Sequence, residues 1–444
     1  MKISVIGCGY LGAVHAASMA KLGHTVVGVD VDEQKVAALA AGHAPFFEPG
    51  LPELLVEGKD RLRFTTDIAD ASEASVHFIA VGTPQQPDSN AADLTYVRGA
   101  IEALLPHLTP GDLVVGKSTV PVGTAAQLAE RIEATGARLA WNPEFLREGF
   151  AIQDTLSPDR LVYGVRDGDH AAVATLDEVY AEAIAAETPR IVTDYATAEL
   201  VKVSANAFLA TKISFINAMA EIAEVTGADV TQLADAIGLD ARIGRRFLNA
   251  GLGFGGGCLP KDIRGFMARA EELGVDQALS FLSEVDAINL RRRSRMVDLT
   301  REVVGGSLDG KRIAVLGLAF KPDSDDVRDS PALDVAARLV AEGASVVATD
   351  PEAVETARRR RPELTYVATA EEAAANADAV VLLTEWRQYR ELDPDDFAAL
   401  VSERTIVDGR NCLNPVLWRA AGWHYRALGR PGAPTPQLAG VASR

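Results

Sequence analysis

Lys2-Ile3-Ser4-Val5-Ile6-Gly7-Cys8-Gly9-Tyr10-Leu11-Gly12 is the stretch that decides the fold. Residues 2–6 form a short apolar run of the kind a buried strand carries. Gly7, Gly9 and Gly12 follow at once in the spacing G-x-G-x-x-G. Residues 13–22 then show a helical pattern, and His24-Thr25-Val26-Val27-Gly28-Val29-Asp30 reads as a second strand ending in an acid. Alone, the three glycines are a weak sign. With a strand before, a helix after and an acid about 20 residues on, they mark a dinucleotide-binding unit. The glycines permit the tight turn, and the helix N-terminus offers N–H groups to a pyrophosphate. Asp30 would accept hydrogen bonds from the adenosine ribose hydroxyls. Val31, Asp32 and Glu33 follow without an arginine, so a 2′-phosphate would be repelled and NAD is expected over NADP. The competing reading is a structural glycine turn with a helix N-cap.

The alternation continues outward from this unit. Val76-His77-Phe78-Ile79-Ala80-Val81 reads as a strand ending in Gly82-Thr83-Pro84, and Leu113-Val114-Val115-Gly116-Lys117 as one ending in Ser118-Thr119-Val120-Pro121. Ligands of open α/β sheets lie off the carboxyl ends of strands. Thr83 and Thr119 therefore meet either the cofactor and its water or serve as helix N-caps. From about Thr193 to Thr226 the pattern is helical, with no proline and no glycine, as in a spacer that also forms a subunit interface. A second series begins near Gly310. Arg312-Ile313-Ala314-Val315-Leu316-Gly317 is a strand, Ser330 to Ala341 a helix, and Ser345-Val346-Val347-Ala348-Thr349-Asp350 a strand ending in an acid. Residues 379–383 and 405–408 continue it. Its first turn, Gly317-Leu318-Ala319-Phe320-Lys321, lacks the full fingerprint, so no dinucleotide is expected there. Lys321, Arg328 and Arg410 instead bring cations suited to a nucleotide diphosphate. The expected fold class is α/β: two Rossmann-like doubly wound domains joined by a long central helical region. The boundaries expected are 1–195, 196–305 and 306–430, with a loose tail over 431–444.

Composition narrows the function. At 444 residues, 48% hydrophobic and 24% charged, the chain has an ordinary globular make-up with two or three domains. A net charge of −18 argues against a nucleic-acid partner. Cys8, Cys258 and Cys412 are distant and odd in number, which fits a reducing cytoplasm rather than a disulfide framework. No C-x-x-C or H-E-x-x-H pattern suggests a metal. The apolar run at the N-terminus is too short for a signal peptide, and no run of about 18 apolar residues suggests a membrane span.

The chemistry gathers around Gly251-Leu252-Gly253-Phe254-Gly255-Gly256-Gly257-Cys258-Leu259-Pro260-Lys261-Asp262, with five glycines in seven residues. Such a run suits a backbone that approaches a ligand closely. Pro260 fits the first turn of a helix. Cys258 then stands at that helix's start with Lys261 near, which favours the thiolate. A loop with an incidental cysteine is the plainer reading. Arg242, Arg245 and Arg246 precede it, either as anion binders or as a solvated basic face. In Trp141-Asn142-Pro143-Glu144-Phe145-Leu146-Arg147-Glu148-Gly149, a helix after Pro143 would put Glu144 and Glu148 on one face. They are then a general base with a water-positioning partner, or a solvated face. Lys202, Asn206 and Glu199 share a face of the long helix at spacings of three and four. Lys202 is there a snorkelling surface lysine or a cation in a site.

Jointly, these motifs resemble the UDP-glucose/GDP-mannose dehydrogenase family. The resemblance covers the chain up to the tail and includes Phe320-Lys321 and Asp408-Gly409-Arg410-Asn411. Arg242-Ile243-Gly244, Phe247-Leu248-Asn249-Ala250-Gly251 and Asp408-Gly409-Arg410 lean toward UDP-glucose over GDP-mannose. Gly257 departs from the pattern, since the family often has serine beside the nucleophile.

The resemblance implies a four-electron oxidation: C6 of the glucose becomes a carboxylate, with two NAD and one water consumed. Cys258 would capture the aldehyde as a thiohemiacetal, which is oxidised to a thioester and hydrolysed. Asp262, with an ordered water and Thr119, would take the alcohol proton. Lys202 and Asn206 would stabilise the oxyanion. Glu144 would assist hydrolysis, with Glu148 supporting the water network. Phe145, Leu146 and Arg147 would contact the sugar through their backbone. Phe247, Leu248, Asn249, Ala250 and Gly251 would hold the glucose and diphosphate together with Gly255, Phe320, Lys321 and Arg410. Arg242 would reach the substrate of a neighbouring subunit. Gly7, Gly9, Leu11, Gly12, Asp30 and Lys35 would serve NAD, as would Thr83, Thr119, Glu148, Lys261 and Arg328. A homodimer through the central helix is implied, with UDP-glucose as the small-molecule partner. GDP-mannose or a UDP-N-acetylhexosamine is the alternative substrate. A two-electron dehydrogenase of the 6-phosphogluconate type is another enzyme reading. A catalytically silent NAD- and nucleotide-binding regulatory protein is the alternative of another class.

Overall fold

Runs such as Ile3-Ser4-Val5-Ile6 and Ala379-Val380-Val381-Leu382 are buried at every position. Strands covered on both faces require this, and it is the signature of a parallel sheet flanked by helices. The computed structural model describes residues 1–432, so nearly all of the expected tail lies outside the described residues. Two sheets form. The first contains β1 (Lys2–Ile6), β2 (Thr25–Val29), β3 (Leu62–Thr65), β4 (Val76–Ile79), β5 (Leu113–Gly116), β6 (Arg138–Trp141), β7 (Leu161–Val165) and β8 (Arg190–Thr193), in the order β3-β2-β1-β4-β5-β6-β7-β8. Its pairs are parallel except β6 with β7. The second contains β9 (Arg312–Leu316), β10 (Ser345–Thr349), β11 (Thr365–Tyr366), β12 (Ala379–Leu382), β13 (Thr405–Asp408) and β14 (His424–Ala427), all parallel, in the order β11-β10-β9-β12-β13-β14. The second sheet therefore repeats the order of the first six strands. In each, the order reverses at the first strand, which opens a crevice at the strands' carboxyl ends. This is the two-sheet doubly wound architecture expected.

By internal contacts the chain divides into two units. One comprises Met1–Asn206 with Lys261–Leu279, and the other Ala207–Pro260 with the chain from Ser280 onward. The long helix, Tyr195–Thr226, begins in the first and ends in the second. Its start is fixed by Asp194, whose carboxylate accepts the Thr197 N–H at 2.8 Å. No helix among the described residues is long and apolar enough to cross a membrane.

Two local expectations are corrected. The fingerprint helix runs Tyr10–Lys21, three residues earlier than its pattern suggested, because Gly9 takes the N-cap. No helix follows Pro143; residues 142–147 are extended loop, and the next helix begins at Ala151. The Glu144 carboxylate accepts the Leu146 N–H at 2.7 Å. A side chain that bonds its own backbone two residues on competes with helix formation.

Candidate functional site

In the first unit the fingerprint turn is sterically dictated. Gly7 has φ +90°, and a Cβ there would lie 2.7 Å from Val81 Cγ1. A Cβ on Gly12 would lie 1.7 Å from the Gly7 carbonyl oxygen. Gly9 instead faces open space, and the helix it begins has no side-chain cap. The first-turn N–H groups are thus presented to an anion, with the helix dipole behind them. Asp30, 8% exposed, accepts the Cys8 N–H at 2.8 Å through Oδ2 and the Asp32 N–H at 3.0 Å through Oδ1. Lys35 Nζ donates to both oxygens, at 3.0 and 2.9 Å. Leu11 is half-buried on the same turn. The residues present fit NAD: uncapped donors for a pyrophosphate, and a carboxylate that would repel a 2′-phosphate. The Cys8 thiol is no reactive group here, since burial, with Asp30 beside it, pushes its pKa far up.

A line of buried polar groups runs through the same unit. Lys202, 4% exposed, is no surface lysine; its Nζ lies 2.7 Å from Glu144 Oε1. Burial raises the Glu144 pKa, but the Lys202 charge and hydrogen bond outweigh it and hold the carboxyl below its usual range. One turn along the helix, Asn206 Nδ2 donates to Asp262 Oδ2 at 2.7 Å. Asp262 Oδ1 accepts from Lys261 Nζ at 2.6 Å, and that ammonium also lies 3.5 Å from Thr83 Oγ1. Thr83 Oγ1 donates to the Thr119 carbonyl at 2.8 Å. Neither threonine caps a helix, since the next helices begin at Thr95 and Thr124. Thr83, Thr119, Pro121, Val203, Lys261 and Asp262 line one cleft. The helical face shared by Lys202 and Asn206 does not include Glu199 in its function. Glu199 caps the helix Thr124–Glu133 instead, accepting the Gly123 and Ala125 N–H groups at 2.7 Å each. Glu144 and Glu148 also diverge: Glu144 is enclosed against Lys202, while Glu148 is half-buried in a turn. The Leu146 and Arg147 N–H groups are taken by Glu144 and Asp154, and Arg147 grips Asp154 in a fork. The Arg160 guanidinium carbon lies over Phe145, 3.7 Å from the phenyl ring centroid.

In the second unit, Cys258 is exposed and immediately precedes the helix Leu259–Glu272, as expected for a helix start. The glycine run has a cause within the chain itself. A Cβ on Gly251 would meet the Gly409 carbonyl oxygen at 2.6 Å, and one on Gly253 the Asn289 Oδ1 at 2.1 Å. On Gly255 it would meet the Asp329 oxygen at 2.3 Å, on Gly256 the Phe320 ring at 2.8 Å, and on Gly257 the Arg328 guanidinium at 2.3 Å. These glycines admit the protein's own loops against the backbone. Asn289 clamps Phe254, accepting its N–H at 2.7 Å and donating to its carbonyl at 2.9 Å. Arg410 donates to the Leu383, Gly253 and Phe320 carbonyls at 2.7, 3.2 and 3.1 Å. Asn411 holds the Ala250 carbonyl at 3.1 Å, and Asn217 accepts the Gly251 N–H at 2.9 Å. Phe247, at φ 68°, is a non-glycine residue in the left-handed region, a strain typical of ligand-binding loops. Leu248 is buried, and Lys321 Nζ stands 5.4 Å from the Phe320 ring centroid. Two of the arginines before the run are held by local partners. Arg242 is forked to Asp240, and Arg245 bonds Asp235 and Asn249. Arg328 is forked to Asp326.

Some residues escaped the sequence reading. Glu48, 2% exposed, accepts the Tyr10 hydroxyl and the N–H groups of Gly149 and Ala151, at 2.6 and 2.7 Å for the last two. It ties the fingerprint helix to the Glu148 loop, and nothing in its neighbourhood in sequence signals this. Asn217 and Asn289 are equally silent. Lys117 had a signal, a charge closing an apolar strand.

Comparison with known proteins places these features. Residues 1–184 match the NAD binding domain of the UDP-glucose/GDP-mannose dehydrogenase family, residues 196–291 its central domain and residues 314–415 its UDP binding domain. A UDP-glucose 6-dehydrogenase of Rhizobium meliloti is 43% identical over 438 residues, covering 97% of this chain and 100% of that protein. One from Haloferax volcanii is 43% identical, covering 96% of this chain and 100% of that protein. Among solved structures, a UDP-glucose dehydrogenase from Pyrobaculum islandicum superposes with a TM-score of 0.87 at 40% identity, covering 97% of this chain and 98% of that one. A UDP-D-ManNAc dehydrogenase from Pyrococcus horikoshii gives 0.83 at 26% identity, covering 97% and 99%. With three family domains matched in chain order and such relatives along nearly its whole length, this chain belongs to the UDP-glucose/GDP-mannose dehydrogenase family.

Proposed function

We propose that this protein oxidises UDP-glucose to UDP-glucuronate, an NAD-dependent four-electron oxidation, as the names of its similar relatives indicate. The observation that carries the reading is the paired line Glu144–Lys202 and Asn206–Asp262–Lys261, with Lys202 and Asn206 on the long helix and Lys261 and Asp262 in the first turn of the helix after Cys258. Bound NAD supplies the hydride acceptor of each oxidation. Asp262, through a water, takes the alcohol proton as C6 becomes an aldehyde. The Cys258 thiolate adds to C6, and the resulting oxyanion is stabilised by Lys202 and Asn206. Loss of a second hydride leaves a thioester. Water then adds, the C–S bond breaks, and the thiolate returns as the carboxylate leaves. Glu144, kept ionised by Lys202, receives one of the water's protons, and the other passes to solvent as the product acid ionises. Thr119 and Glu148 assist with water. Phe247–Gly251, Gly255, Phe320, Lys321 and Arg410 hold the UDP-sugar. Phe145, Leu146 and Arg147 border the sugar, and Arg242 serves a neighbouring subunit's site. Lys35, Lys261 and Arg328 complete the NAD site.

The finer organisation belongs to the same reading. Residues 1–195, 196–305 and 306–430 act as NAD-binding, central and UDP-sugar domains. The protein is a cytoplasmic homodimer. Phe208, Phe215 and Ile222, exposed by 67, 48 and 53%, recur every seven residues along the long helix and form an apolar stripe that a second copy would cover.

The test is a panel of nucleotide sugars read by NADH absorbance. UDP-glucose should be oxidised at least about 100-fold more efficiently than GDP-mannose or a UDP-N-acetylhexosamine, since a site that binds a substrate's polar groups rejects analogues lacking them. A preference for either of the others overturns the substrate. Binding of NAD and UDP-glucose with no turnover would make the protein a silent binder.

A further inference from the structure

Lys117 is the first residue past β5 and is 6% exposed. Its Nζ donates to Asn142 Oδ1 at 3.0 Å and to the Tyr180 hydroxyl at 3.3 Å, both neutral partners. The ring centroids of Phe78 and Tyr180 each lie 5.8 Å from it. Asn142 is held at three atoms: its backbone N–H donates to Gly116 O at 2.8 Å, Nδ2 donates to Val162 O at 3.0 Å, and Oδ1 also accepts from Tyr180 at 2.7 Å. Pro143 follows and then Glu144, whose carboxylate meets Lys202. An ammonium this deep, without a carboxylate bonded to it, is costly to desolvate. A leucine or methionine would fill the space at lower cost, so packing alone does not account for the lysine.

We infer that Lys117 is a positioning residue for the Glu144–Lys202 pair: through Asn142 it fixes the loop that carries Glu144, and it places a second buried cation near that carboxylate. The inference rests on the hydrolytic role given to Glu144 above. The charged and titratable groups around it come from four elements: Glu144 on its loop, Lys202 on the long helix, Tyr180 after the helix His170–Val179, and His15 on the fingerprint helix. Burial, with Lys117 and His24 nearby, keeps His15 neutral, and burial holds the Tyr180 hydroxyl protonated. Glu144 is therefore the one anion among them, and both lysines lower its pKa. Burial pushes Lys117 itself down to about 8 although Glu144 opposes the shift.

The test compares full-length Lys117→Met, Lys117→Gln and Glu144→Gln with the parent enzyme under saturating UDP-glucose and NAD. A positioned base contributes roughly 10²–10⁴-fold. Lys117→Met should cut kcat by about 10-fold while both KM values stay within about twofold. It should raise the acid limb of kcat by about one pH unit and leave more sugar bound covalently to Cys258, read by denaturing mass spectrometry. Lys117→Gln keeps a donor to Asn142 but no charge. It should restore part of kcat while the acid limb stays raised. Unmoved acid limbs in both variants, KM changes that match the fall in kcat, or lost soluble yield with unchanged turnover per folded molecule overturn the inference. If Glu144→Gln fails to slow release of the Cys258 adduct, the role of Glu144 falls. If it slows release and the Lys117 variants do not move the acid limb, only the Lys117 inference falls.

Discussion

The second sheet repeats the order of the first sheet's first six strands and has nearly the same first turn, but only the first sheet's turn leads straight into an uncapped helix N-terminus. Gly7 and Gly317 each follow the first strand with φ near +90° and +99°, and each abuts the turn after the fourth, at Val81 and Thr384. Asp30 and Asp350 each close the second strand and accept backbone N–H groups from that turn. After Gly7 the helix begins within three residues, uncapped. After Gly317 the chain wanders to Ser330, which caps the helix Pro331–Ala341, with proline filling its first position. Asp350 is saturated as well: Oδ2 accepts the Leu318 and Ala319 N–H groups and the Trp386 indole, and Oδ1 the Glu352 and Ala353 N–H groups. One fold can thus carry two tasks, because the turns and not the sheet decide what binds.

The largest effect that would break this comparison is at Gly12. Gly12→Val should abolish NAD binding in a fluorescence titration and unfold much of the protein, since even a Cβ would sit 1.7 Å from a carbonyl oxygen. Next come the paired acids. Asp350→Ala should cost about 2–4 kcal/mol, as several buried donors lose their acceptor, with KM for NAD unchanged. Asp30→Ala should raise KM for NAD by about 10-fold or more and weaken discrimination against NADP. An equal NAD effect from both would erase the distinction drawn here.

A subtler contrast lies one strand further on. The fifth strand of each sheet leads into a buried charge, Lys117 in one and Asp408 in the other. Burial lowers the Lys117 pKa from 10.5 to about 8, so between those values the unfolded chain binds a proton that the folded chain lacks. Stability should rise with pH across that window. Burial raises Asp408 above 3.8 despite the bonds to Leu413, Arg410 and Tyr425. There the folded chain holds the extra proton, and stability should fall as pH rises through that range. Denaturant melts across pH of Lys117→Met and Asp408→Asn should each flatten their own slope only. The smallest effect is expected at Gly257→Ser. Its Cβ first meets the far end of the Arg328 side chain, which can shift about its pairing with Asp326, so stability should change by less than about 1 kcal/mol.

Much of this was legible from residue order, and the reasons are local. Strands buried on both faces write themselves as apolar runs, and the fingerprint carries its own steric logic at Gly7 and Gly12. The long helix could be read from its uninterrupted pattern, and Lys202 with Asn206 from their spacing. What escaped depends on distant partners. Glu199 shares a face with Lys202 yet turns to the Gly123 amide, 76 residues away in sequence. Glu144 and Glu148 do not share a helix face because a carboxylate bonded its own backbone. The glycine run gave no sign in sequence that its missing side chains also make way for Asn289, Phe320, Arg328 and Asp329. Long-range steric demands leave a glycine in the sequence without saying what stands opposite.

A single site performs two successive oxidations in this reading, the second on a Cys258 adduct. Counting NADH formed per UDP-glucose consumed, at saturating NAD, tests it most directly. Two are expected, and none beyond the first oxidation when Cys258 is replaced by serine. One NADH per sugar in the unaltered protein would contradict it.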